Sequence, residues 1–186
     1  KLIYSIAFYC LFTHQTVLAN TMQAKEILKL MAQGKAVAIS NTTIKGKLDF
    51  TQLEANSVSS HKKLVQVPVT VAFINCNFEE AIIGYAQDKE KTIQLQFLST
   101  VTFESCQFKE EVLLRNVLFA AGLQVEKCVV SQSFSAEGSV FSGKSTTFSE
   151  SQFNGEVKLE NTRFEGDANF FKTIFQGNAS LQGAYF

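Results

Sequence analysis

The chain has 186 residues, with 17 basic and 17 acidic side chains and 46% hydrophobic content. That is enough apolar material for the core of one domain, and the balanced charge gives no electrostatic argument for nucleic acid or an anionic membrane as partner. One proline and no tryptophan suit a regular repeat.

Residues 1–19 read as an export signal without an initiating Met. Lys1 is the charged start, residues 2–12 form an apolar run, and Val17-Leu18-Ala19 is a small-residue cleavage site. A membrane anchor needs about 20 apolar residues, and Thr13-His14-Gln15-Thr16 interrupts this one. Cys10 lacks the small residues that precede a lipidated cysteine. Cleavage after Ala19 removes one of the 17 basic residues, Lys1, and leaves a net charge of −1. The expected location is periplasmic or extracellular, with no membrane insertion once the signal is gone.

Residues 20–34 predict a short capping helix. Asn20 with Gln23 resembles a capping box, Ala24, Ile27, Leu28, Leu30 and Met31 form an apolar stripe, and Gly34 is a stop. Such a helix suits the lid of a repetitive coil, whose first layer otherwise exposes apolar side chains and unpaired backbone. An amphipathic helix for a partner is the alternative.

From residue 35 to 186 the large apolar residues keep a rhythm. Ile39, Ile44, Phe50 and Ala55 step by 5, 6 and 5. Phe73, Phe78 and Gly84 resume it, followed by Phe103, Phe108, Leu114, Phe119, Val125, Val130, Ala136 and Phe141. After a step of 7 come Phe148, Phe153, Leu159, Phe164, Phe170, Phe175, Leu181 and Phe186. Two residues before each centre stands a second, mostly small residue, as at Val101, Cys106, Val112 and Val117. These steps fit neither a helix nor an ordinary alternating strand. They fit a square coil of 22 residues whose equivalent positions stack about 4.8 Å apart, the interstrand distance of a sheet.

The units Ala168-Asn169-Phe170-Phe171-Lys172, Thr173-Ile174-Phe175-Gln176-Gly177 and Ala179-Ser180-Leu181-Gln182-Gly183 resemble the pentapeptide-repeat family. That resemblance implies an all-β fold, a right-handed quadrilateral β-helix. This chain departs from an unbroken step of 5 by inserting one residue after every second unit, as at Asp167 and Asn178. A glycine often precedes the insertion (Gly46, Gly143, Gly155, Gly166, Gly177), which is expected to serve a corner of positive φ.

Two breaks, near 56–70 and 85–100, predict loops inserted at a corner or replacing a side. They carry His61-Lys62-Lys63 and Asp88-Lys89-Glu90-Lys91, and Ile93, Leu95 and Phe97 alternate as in a hairpin or a missing fourth side. Binding on a rigid scaffold usually resides in such loops. The step of 7 requires one residue to bulge within 142–147. Outward strand positions account for the Ser/Thr-rich run at 131–151. Ala136 is undersized for a centre, and Phe134 is expected to fill the shared space.

Chemistry fails on inventory. Beyond residue 19 the one histidine is His61, and Cys76, Cys106 and Cys128 have no C-x-x-C spacing, so no metal or cofactor is expected. The cysteines all fall two before a centre and form one column. Stacked coils lie within disulfide range, but parallel side chains point the same way, so buried free thiols are the plainer expectation. No catalytic residues are assigned: a nucleophile lacks a base in reach, and the pairs Glu79-Glu80 and Glu110-Glu111 read as solvated corner residues.

The reading is an exported, non-enzymatic structural or protein-interaction scaffold. Its partner is an unknown protein or a second copy at the C-terminal coil, where Phe164, Phe170, Phe175, Leu181 and Phe186 form an uncovered layer. The resemblance also implies an alternative, a DNA-mimicking gyrase-binding pentapeptide protein, against which the net charge of −1 and the export signal both count. A third possibility is the soluble part of a longer membrane-associated protein.

Overall fold

The computed structural model describes residues 20–57, 62–87 and 92–186. The export-signal reading therefore lies outside the described residues, as do His61 and Asp88-Lys89-Glu90-Lys91.

The chain winds into a right-handed, four-sided β-helix in which all but two of the strand pairings are parallel. Strand β1 (Asn20–Gln23) leads into helix α1 (Ala24–Ala32), and the first coil follows as β2 (Val37–Ser40), β3 (Thr42–Lys45) and β4 (Leu48–Asp49). Its fourth side is a hairpin of β5 (Asn56–Ser57) and β6 (Lys62–Val67). The second coil repeats the order as β7 (Val71–Ile74), β8 (Asn77–Phe78) and β9 (Ile82–Ile83), then a hairpin of β10 (Ala86–Gln87) and β11 (Thr92–Phe97). From Val101 onward each coil has four short strands and no hairpin, except the last, whose fourth side is a single bridge from Tyr185 to Arg163.

The register confirms the 22-residue coil. Val101–Glu104 pairs with Leu123–Glu126, and Leu118–Phe119 with Val140–Phe141. Across the step of 7 the offset becomes 23, as in Val130↔Phe153 and Phe141↔Phe164. The extra residue is absorbed at the corner ahead of the strand Ser145–Thr147, which keeps a single registered pair with the strand before it, Gln124↔Thr147.

Stacking puts like over like. Rings on successive coils lie face to face, with centroids 5.5 Å apart for Phe73 and Phe103 and 4.9 Å for Phe78 and Phe108. On the fourth side Phe97, Phe119, Phe141, Phe164 and Phe186 make one continuous column at 4.8–5.4 Å. Rings on adjoining sides meet edge to face, as Phe103 does with Phe108 at 74°. Both arrangements are favourable for aromatic quadrupoles and add to the burial of ring area. Phe97, whose strand the sequence left as either hairpin or side, is thus a centre of the fourth side. β11 is both the second arm of a hairpin and the missing side.

The corners correct one expectation. Positive φ is not the rule for the five glycines that precede an insertion, of which only Gly46 has it, at +83°, although Gly122, also in a six-residue step, has +99°. The regular site of positive φ is the five-residue step, at Asn41, Asn75, Ser105, Lys127, Glu150 and Lys172 on one corner and Asn116 and Asn161 on another, all between 51° and 54°. Asn tolerates this region through local hydrogen bonds, and Asn75 Nδ2 donates to Asn41 Oδ1 at 2.7 Å. Gly143, Gly155, Gly166 and Gly177 are needed for a different reason. A Cβ on Gly155 would land on the backbone carbonyl of Gln132, and one on Gly177 on that of Gly155.

The N-terminal lid also differs from its expected register. Asn20–Gln23 is a strand, adding a seventh member to the second side by pairing with β3 from Asn20↔Thr42 to Gln23↔Lys45. The capping box belongs to Gln23 and Glu26, with the Gln23 N–H donating to Glu26 Oε2 at 3.1 Å. Both Asn20-x-x-Gln23 and Gln23-x-x-Glu26 fit the motif. The open edge of β3 decides between them, because unpaired backbone there gains partners from a strand and none from a helical turn. The helix then buries Ala24, Ile27, Leu28 and Met31 over the first coil.

Candidate interaction surfaces

The interior is filled by the centre residues and by the smaller residues two before them. On the second side that smaller column reads Thr42, Cys76, Cys106, Cys128, Ser151 and Thr173. Its side chains do more than fill space. Cys76 Sγ donates to Ile39 O, Cys106 Sγ to Phe73 O, and Cys128 Sγ to Phe103 O, at 3.3–3.5 Å. Ser151 Oγ and Thr173 Oγ1 make the equivalent bonds to Val125 O and Phe148 O, both at 2.9 Å. Each ties its coil to the carbonyl of a first-side centre on the preceding coil.

The Ser/Thr-rich run is therefore not explained by outward positions alone. Ser139, Thr146 and Ser151 face inward and are buried. Ser139 Oγ donates to Leu114 O at 2.7 Å and accepts from the Val117 N–H at 3.0 Å. All three stand two before a centre, and the Ser139 and Ser151 hydroxyls find backbone carbonyls there, whereas Thr146 Oγ1 is buried without a partner among the described residues.

The three cysteines are free and buried. The Cys106 thiol is pushed up to about 12, chiefly by its hydrogen bond with Cys128 and further by burial, against a lowering influence of Cys76. Cys76 is raised further still, by its hydrogen bond with Cys106 and then by burial. A thiol held protonated neither attacks nor binds metal readily. A disulfide reagent at pH 8 is expected to label none of the three in the folded protein and all three in denaturant. Rapid labelling of the native chain would contradict this placement.

The carboxylate pairs lie at the corner between the second and third sides. Glu80, Glu110 and Glu111 are exposed, and Glu79 meets Lys109 at 3.6 Å. Pairs this exposed contribute about 0–1 kcal/mol. Among the described residues no group of three or more His, Cys, Asp or Glu is placed to hold a metal ion, and no helix is long and apolar enough to cross a membrane.

Two surfaces stand out from the regular coil. The first is a fin. β6 and β11 pair in parallel over six residues, from Thr92↔Lys62 to Phe97↔Val67, where later fourth-side strands have two. Their C-terminal halves bury Val65, Val67, Leu95 and Phe97. Their N-terminal halves continue beyond the coil and are flanked by β5 on one edge and β10 on the other. The result is a four-stranded blade in the order β10-β11-β6-β5, with Lys62 and Lys63 exposed.

The second is the last coil, where Phe175, Leu181, Tyr185 and Phe186 are exposed. Phe164 is not part of that layer. It is buried beneath Phe186, with ring centroids 5.0 Å apart.

A square parallel coil with stacked aromatic centres, small inward residues and hydrogen-bonded corners defines a class of repeat protein, the quadrilateral β-helix. A family model described as Pentapeptide repeats (9 copies) matches residues 148–186, so pentapeptide repeats are detected there, and the coils before them continue the same geometry. No curated protein and no solved structure matches.

Proposed function

We propose that this protein is an exported, non-enzymatic scaffold that engages protein surfaces, including a second copy of itself, through the ends and the blade of its coil. The observation that carries the reading is where the apolar surface lies. Among the described residues the coil interior is packed with Phe, Leu and Val, while Phe175, Leu181, Tyr185 and Phe186 crowd the last coil with 36–74% of their surface exposed. Burying apolar area contributes about 25 cal/mol per Å², and parallel strand edges left open template association. A second copy offers the same side chains and the same backbone spacing in return.

Export rests on the sequence, the charged Lys1, the apolar run of residues 2–12 and the Val17-Leu18-Ala19 site. The mature protein from its native host is expected to start at Asn20 and to lie outside the cytoplasm. Light scattering across a concentration series is expected to show association that Leu181→Lys weakens. A chain retaining residues 1–19 in the cytoplasm would overturn export, and a wild type monomeric at every concentration would overturn self-association.

A further inference from the structure

We propose that the third side of the coil is a carbohydrate-binding face, with Ser135 on the floor of its first subsite. Ser135 lies between the inward Phe134 and Ala136, so its side chain points out of the third side. Its stacking neighbours are Leu113 and Lys158, both far larger. The small residue leaves a recess of about 340 Å³ between them. At the bottom Ser135 is only 3% exposed, and its Oγ has no hydrogen-bond partner among the described residues. A hydroxyl so placed loses its water contacts and gains nothing in return, a cost natural structures rarely accept without a ligand or an ordered water.

The rim decides the chemistry. Glu111, Glu137 and Glu156 supply carboxylate acceptors, and Arg115 and Lys158 supply donors. The cations are already engaged, Lys158 with Glu156 at 2.9 Å and Arg115 over the Tyr85 ring at 5.3 Å, yet Arg115 Nε is buried without a partner. Three carboxylates against two cations leave a recess close to neutral, a poor site for a bare anion or cation. Glu111 already accepts from Ser133 Oγ at 3.1 Å and Glu156 pairs with Lys158. The Glu137 carboxylate, the second oxygens of the other two, a guanidinium N–H and a hydroxyl remain, with the apolar Leu113 beside them. Together they match a ligand that alternates donors and acceptors around an apolar ring. A neutral sugar has that chemistry.

A second recess of about 410 Å³ lies along the same side and shares Glu137 and Lys158 with the first. It adds Asn161, Gln182 and Glu160, whose buried Oε2 is also without a partner. The second lies one coil further on and nearer the fourth side, so the two together form a diagonal track across the third side. The occupant is therefore a linear neutral oligosaccharide lying along that track. This stands apart from the scaffold reading, because the blade contributes nothing to it and the last coil contributes only Gln182, none of its exposed apolar side chains.

The test is titration calorimetry of the intact protein with cellohexaose, maltohexaose and chitohexaose, with spermine as the cationic comparison. At least one hexaose is expected to bind. Ser135→Leu, which fills the recess, is expected to weaken that binding about tenfold or more with an unchanged far-UV circular dichroism spectrum. Glu137→Gln, a near-isosteric change at a residue that lines both recesses, gives the same readout if the leucine variant does not fold. Absence of binding by all three hexaoses overturns the proposal. So does binding that survives both variants, or binding of spermine alone.

Discussion

Replacing Phe134 by alanine is expected to destabilise the protein by about 3–5 kcal/mol, the range for truncating a buried Phe. Phe134 occupies a position where the other coils carry Leu48, Ile82, Val112, Val157 and Ala179. Its oversized ring compensates for Ala136, the undersized centre two residues on. The ring also reaches into the next coil, meeting Phe148 and Phe153 edge to face at 5.7 and 5.3 Å. Truncation thus leaves a cavity bordered by aromatic rings that cannot collapse without breaking their own stacks. Urea denaturation is the measurement, and a midpoint equal to wild type would place Phe134 outside the core. Ala136→Leu in the Phe134→Ala background should recover part of the loss, because it returns the large residue to the centre column.

The second large effect is expected at Gly155. A methyl group there meets the Gln132 carbonyl and the Ser133 amide of the coil before it, and backbone at a stacked corner cannot yield as a side chain can. Overpacking of this kind costs about 1–3 kcal/mol and occasionally more. Gly34 provides the contrast. It has φ +69° and open space where its Cβ would be, so its constraint is conformational alone. Gly34→Asn should be close to neutral because Asn accepts the left-handed region, whereas Gly155→Asn should be at least as damaging as Gly155→Ala. Equal tolerance of Asn at both sites in thermal melts would refute the steric account.

These two sites show how far the sequence carries the structure. The 5/6 rhythm sufficed for the square coil, the filled interior and the compensation between Phe134 and Ala136, because each rests on which residues are large and how far apart they stand. The corner glycines were visible as a pattern, yet their cause was misjudged. Spacing does not reveal whether a glycine answers to its own φ or to a carbonyl on another coil. Ser139 and Ser151 stand two before a centre, so the rhythm reaches them, but the carbonyls their hydroxyls bond are not displayed by composition. The lid was ambiguous by three residues because two overlapping triplets both satisfy the capping pattern, and only the open edge of β3 separates them. The recess at Ser135 was the least legible of all. It arises from a size difference between residues 22 and 23 positions apart that meet only through the register of the third side.

The blade has a consequence for how this chain can change. Its strands are anchored at their C-terminal halves, where Val65, Val67, Leu95 and Phe97 belong to the coil, and the coils on either side keep their register despite it. Whatever joins β5 to β6 and β10 to β11 can therefore be exchanged without altering a single stacking contact of the interior. The fourth side works as a mounting point. New sequence placed there would be displayed in pairs, one hairpin directly above the other, so variation in one is read alongside its neighbour.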